Sequence, residues 1–128
     1  MKQNKADLSA NWRMIKQFAR YELITFTQHA VQTMEERNIS KNDIYQVLKS
    51  ANSTIVQHHE AGTYNNNQSP VDVVFGQVKN NKKKFFLHVV VAIEKECDSG
   101  VTIKVITTYI PSNEFFYASG RIVKRRAR

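Results

Sequence analysis

The feature that most constrains this chain is a change of period at Ala51. Up to that residue apolar side chains recur every three or four positions, as on one face of a helix; beyond it they recur about every second position, as on a strand. Helices therefore come first and strands follow. That order predicts an α+β domain, with the N-terminal helices packed on one face of a roughly four-stranded antiparallel sheet.

In the helical part, "DLSANWRMIKQFARYE" spaces Leu8, Trp12, Ile15 and Ala19 by four, three and four, with Arg13, Lys16, Gln17 and Arg20 elsewhere around the cylinder. This predicts an amphipathic helix capped by Asp7 or Ser9. "LITFT" reads as an extended lead-in to "FTQHAVQTMEERNIS", where Ala30 and Met34 stack one turn apart and Asn38 suits the left-handed position that closes a helix. Ser40 and Asp43 form a capping-box-like start for "KNDIYQVLKSA", whose Ile44, Val47, Leu48 and Ala51 mark an apolar face. Two short helices thus meet at Ile39.

Four strands are expected from "STIVQHHE", "VDVVFGQVK", "KFFLHVVVAIE" and "VTIKVITTYI", with turns in "AGTYNNNQSP", "NNKK" and "KECDSG". "FFLHVVVAI" is apolar on both faces and is placed centrally. Simple alternation puts Val101, Ile103, Val105, Thr107 and Tyr109 on one face of the last strand, and His88 on a face with Lys84, Phe86, Val90 and Glu94. A histidine inside an apolar strand costs desolvation unless it is paired. His88 is either a neutral core histidine with one hydrogen bond or part of a site.

At 128 residues the chain suits one core, read as a single domain over residues 1–120 with a basic tail over 121–128. No apolar run approaches the roughly 18 residues that span a bilayer. "MKQNKADLSANW" lacks a secretory apolar stretch. Cys97 is alone, which excludes an internal disulfide framework and suits a reducing compartment. A cytoplasmic location away from membranes is expected. The net charge is +8, and without Arg121, Lys124, Arg125, Arg126 and Arg128 it is +3. That tail, with Lys82, Lys83 and Lys84, is a solvated charge run or a surface for phosphate backbones or an acidic protein.

His58 and His59 are neighbours on a strand and point to opposite faces, and no HxxxH, HxxH or CxxC spacing occurs. Neither a metal nor a cofactor is expected. Histidines, an arginine and a tyrosine are the parts of a metal-independent ribonuclease: a base for the 2′-hydroxyl, a cation for the phosphorane and an acid for the departing 5′-oxygen.

The pattern His29-Ala30, then Arg37, Asn38, Ile39, Ser40, Ile44 and Leu48, closed by "VITTYIP", resembles the domain of unknown function 4258. That family resembles the BrnT and RelE toxins of the barnase-EndoU-colicin-RelE grouping. The likeness spans roughly residues 22 to 113. It implies a RelE-like fold, cleavage of messenger or ribosome-associated RNA without metal, and an acidic antitoxin partner. His29 then matches the motif histidine, Arg37 the arginine before the helix break, and Thr107 and Tyr109 the closing strand, while His88 falls where related sequences often carry a polar residue. Two positions depart: Thr33 stands where an arginine is expected and Asn38 where glycine is usual.

Three readings follow. The chain is a toxin-like endoribonuclease using His29, Arg37, His88, Thr107 and Tyr109; or a module of the same fold that binds nucleic acid or protein without cutting; or an interaction protein whose His29 and Arg37 lock the helix junction, with Glu36 or Glu94 as an ion-pair partner.

Overall fold

A computed structural model describes residues 5–64, 67–79, 84–96 and 100–111. Helix α1 (Lys5–Arg20) is followed by a two-residue strand β1 (Thr25–Phe26), helices α2 (Gln28–Arg37) and α3 (Lys41–Lys49), and strands β2 (Thr54–His59), β3 (Val71–Lys79), β4 (Lys84–Glu96) and β5 (Gly100–Tyr109). The α+β class is as the change of period predicts. The sheet, however, has five strands in the order β1-β5-β4-β3-β2, and β1 runs parallel to β5. The lead-in "LITFT" supplies the additional strand. Two residues are too few to show a period, so only pairing with β5 identifies it.

The caps follow local chemistry. Thr27 accepts a bond from the Ala30 amide at the start of α2, and Asn38 closes that helix in the left-handed region with φ 57°. Ser40 and Asp43 exchange both bonds of a capping box at the start of α3. Helix α1 differs from expectation: its backbone is already helical at Lys5, so Asp7 and Ser9 lie within the helix rather than capping it.

The helices pack on one face of the sheet. Their Ile15, Ala19, Ala30, Met34, Ile44, Val47 and Leu48 bury against Val74, Leu87, Val89, Val91, Ile103 and Val105. Each fully buried Val, Leu or Ile among these contributes about 1.5 to 3 kcal/mol. Ala51 falls beyond α3 and is exposed. Strand β4 lies in the middle of the sheet, as its two-sided apolar sequence requires. Helix α3 comes so close to β3 that a Cβ on Gly76 would stand 2.2 Å from Ser53 Oγ and 2.8 Å from Val47 Cγ1. Only glycine fits there.

The opposite face carries a second cluster, Val71, Val73, Val90 and Ala92, with Val56, Tyr64, Ile106 and Tyr109 packed against it. A β-bulge decides what joins it. Val91 pairs with Val105 but Val90 with Thr107, leaving Ile106 as the extra residue. Simple alternation therefore fails on β5. Val101, Ile103 and Val105 face the helices, whereas Thr107 and Tyr109 have crossed to the face of Val90 and His88.

Candidate functional site

The five residues singled out from the sequence are divided by the sheet. His29 is the second residue of α2 and is exposed. Arg37 ends the same helix, and its Nη1 donates to the Thr108 carbonyl at 3.2 Å. Thr27 fixes the other end of α2, donating from Oγ1 to the Ile106 carbonyl at 3.1 Å. Arg37 thus straps α2 to β5, and its partner is a main-chain oxygen. Glu36 instead accepts from Gln32, and Glu94 pairs with Lys104 at 3.1 Å.

His88 stands on the other face, opposite Tyr109 in the ladder, and is fully buried. Its Nδ1 lies 3.4 Å from Tyr109 Oη, and its ring sits edge-on to both Phe75 and Tyr109. Burial pushes the Tyr109 phenol up to about 12. Thr107 is half-buried opposite Val90. The bulge therefore assembles Thr107, Tyr109 and His88, and separates them from His29 and Arg37. Lys84 is exposed at the start of β4, while Lys82, Lys83, Arg121, Lys124, Arg125, Arg126 and Arg128 lie outside the described residues, as does Cys97.

A different constellation forms on the helix side, near the end of the sheet where β2 and β3 lie beneath α1. His58 and Asp72 are ladder partners on β2 and β3. His58 Nδ1 is 2.5 Å from Asp72 Oδ1, and Asn11 Nδ2 on α1 donates to Asp72 Oδ2 at 3.2 Å. Both carboxylate oxygens are thereby occupied at a side chain only 1% exposed, whereas His58 retains 10%. Desolvation raises the Asp72 carboxyl above its ordinary range, against the bonds from His58 and Asn11, which lower it. With the carboxylate ionised, Nδ1 carries the imidazole proton and Nε2 the free lone pair.

This pair opens on a cavity of about 310 Å³ lined by Asn11, His58, Gln68, Ser69, Ile93 and Lys95. The cavity thus combines an oriented imidazole with an ammonium group. His59 points the other way, as adjacent strand residues must; its Nε2 lies 2.9 Å from Gln57 Oε1, and its ring packs on Tyr64. Burial lowers the His59 pKa, and the neighbouring His58 adds to that effect. Among the described residues no three of His, Cys, Asp and Glu converge as metal ligands, and no helix is long and apolar enough to cross a membrane.

The model of one family, the domain of unknown function DUF4258, matches residues 26–110. The chain belongs to that family. No curated protein and no solved structure matches it. The DUF4258 match runs from Phe26 in β1 past the end of β5, so His58, Asp72 and Lys95 lie inside it and Asn11 on α1 lies before it.

Sequence reasoning passed over Asp72, although the signal was present. A carboxylate within "VDVVF" is as costly in an apolar strand as His88 is, and it demands a partner on the same grounds. That the partner is His58 depends on the pairing of two strands, and that Asn11 joins depends on a contact 61 residues away in the chain.

Proposed function

We propose that this DUF4258 protein is a toxin-like endoribonuclease that cuts RNA without a metal, with His58 as its general base. The observation that carries this reading is the Asn11–Asp72–His58 chain of hydrogen bonds at the mouth of an open cavity that also holds Lys95. Asp72 fixes the ring and its tautomer, so Nε2 can take the proton of a ribose 2′-hydroxyl. The freed 2′-oxygen attacks the adjacent phosphorus, and the Lys95 ammonium stabilises the charge that grows on the phosphorane oxygens. The bond to the 5′-oxygen breaks, and water at the open mouth of the cavity protonates the leaving group.

Electrostatics favour such a substrate. The chain carries +8, and α1, the helix that provides Asn11, presents Arg13, Lys16 and Arg20 along a groove of about 250 Å³ beside Tyr21. Positive charge of this kind holds phosphate backbones and draws an acidic partner, the chemistry of an antitoxin, to the same surface.

The test is cleavage of a mixed-sequence RNA in excess EDTA by wild type and by folded His58→Ala, Asp72→Asn and His88→Ala variants. Wild type is expected to cut, with a loss of about 10²- to 10⁴-fold in His58→Ala. Cutting that survives His58→Ala but is lost in folded His88→Ala would move the chemistry to the opposite face. RNA left intact by wild type, yet shifted on a gel, would replace the enzyme with a binding module.

A further inference from the structure

Strand β2 pairs with β3 only as far as Thr54 opposite Phe75, so the last residues of β3 have no strand on that side among the described residues. Gln46 of α3 covers part of this edge. Its Nε2 donates to the Lys79 carbonyl at 3.1 Å and its Oε1 accepts from the Lys79 amide at 3.3 Å. The main-chain groups of a strand residue point to one side, and residues two apart point the same way. Gln77 therefore directs its N–H and C=O to the same edge as Lys79, and no hydrogen bond from the described residues reaches them. One donor and one acceptor are left open between the Thr54 pairing and the Gln46 bridge.

This opening lies in a cavity of about 350 Å³, lined by Asn52, Phe75, Gly76, Gln77, Lys79 and Phe86 among others. Phe86 stacks on Phe75 with ring centroids 5.1 Å apart and planes 15° from parallel, and it remains 46% exposed. The Phe86 ring thus offers an aromatic surface at the wall of this cavity. Gly76 lacks a side chain because Ser53 and Val47 crowd it, so the cavity reaches the strand backbone itself.

We infer that this cavity binds a single nucleobase of the RNA, stacked on Phe86, with its polar edge on the Gln77 main-chain N–H and C=O and its phosphate at Lys79. A flat heterocycle satisfies one donor and one acceptor while covering an aromatic face, whereas a peptide strand would need a longer run of free ladder groups than this slot leaves. The Asn52 side-chain amide stands at the rim to read further base atoms. The inference rests on the ribonucleotide chemistry proposed for His58 and assigns it a base-recognition subsite on a separate part of the sheet.

The experiment is a titration of the full wild-type chain with AMP, GMP, CMP and UMP in turn, none of which carries a phosphodiester to cut, following the Gln77 amide resonance by NMR. At least one nucleotide is expected to shift that resonance at millimolar concentration. Phe86→Leu, which keeps apolar bulk but loses the aromatic face, should weaken binding about 5- to 100-fold, and Phe86→Trp should restore it. No shift with any nucleotide, or equal binding by Phe86→Leu, would overturn the subsite. A shift produced by an extended peptide and by no nucleotide would overturn it in favour of strand addition. Because binding is read without cutting, loss of the His58 mechanism alone leaves this result standing. RNA cleavage by His58 with no nucleotide effect at Gln77 would remove only the subsite.

Discussion

Two histidines on one sheet, His58 and His88, show how surroundings set what a residue type can do. Both lie in extended strands, and both have Nδ1 facing a side-chain oxygen. His58 faces a carboxylate, keeps a small exposed fraction and opens on a polar cavity beneath α1. His88 is fully enclosed among Phe75, Tyr109 and the central strands, and its oxygen neighbour is a phenol held in its neutral form. A carboxylate turns an imidazole into an oriented base; an aromatic cage turns it into packing.

The comparison breaks most readily in catalysis. His58→Ala should reduce RNA cleavage by about 10²- to 10⁴-fold while His88→Ala, refolded and assayed at equal folded fraction, retains most of it. Equal losses in both would erase the distinction. Stability should not separate them in this way. Truncating His88 leaves a void in the middle of the sheet and should cost about 2 to 4 kcal/mol in urea unfolding, and His58→Ala, which leaves the buried Asp72 carboxyl with Asn11 as its remaining side-chain partner, should cost about 1 to 3 kcal/mol.

The pH response sharpens the contrast. The Asp72 carboxyl is raised in the folded state by burial, so the folded protein holds this proton more tightly than the unfolded chain does. Its contribution to stability is therefore fully present below the ordinary carboxylate value and declines as pH rises through the raised one. Cleavage runs the other way, because protonating Asp72 removes the acceptor that orients His58. A pH–rate profile whose acid limb shifts in Asp72→Asn is the expected outcome, the limb itself persisting because the His58 base must also be unprotonated; a profile unchanged by that substitution would remove Asp72 from the mechanism.

The smallest effect belongs to the other centre. The Tyr109 phenol, raised to about 12, contributes stability that is complete below about pH 10 and is lost as pH rises toward 12. Alkaline unfolding curves of Tyr109→Phe should be flatter over that window than those of wild type, with no change near neutrality. A wild-type curve already flat there would show that His88 and Tyr109 do not share a buried environment.

Much of this was legible locally. The capping box at Ser40 and Asp43, the left-handed closure at Asn38 and the apolar faces of α2 and α3 depend on residues within one or two turns of each other, so short spacings reveal them. The α+β order and the central place of β4 follow from period and two-sided apolarity alone. The candidate site was less legible. His88 stands out as a polar group in an apolar strand, but alternation places Thr107 and Tyr109 in line with Val105, and one extra residue at Ile106 reverses that. His29 and Arg37 join them only through the family resemblance, and the sheet stands between the two sets.

By itself, then, the sequence determined the helices, the caps of α2 and α3, the four long strands and the membership of a family whose motif lies in α2, α3 and β5, because each is encoded in contacts a few residues apart or in a period. Tertiary structure alone decided that Thr25 and Phe26 form a parallel edge strand, that a bulge turns Tyr109 toward His88, and that Asn11, His58 and Asp72 meet at a cavity. Those outcomes depend on register between distant strands. A slip of one residue exchanges the faces of a strand, and no local spacing records on which side of it a side chain will fall.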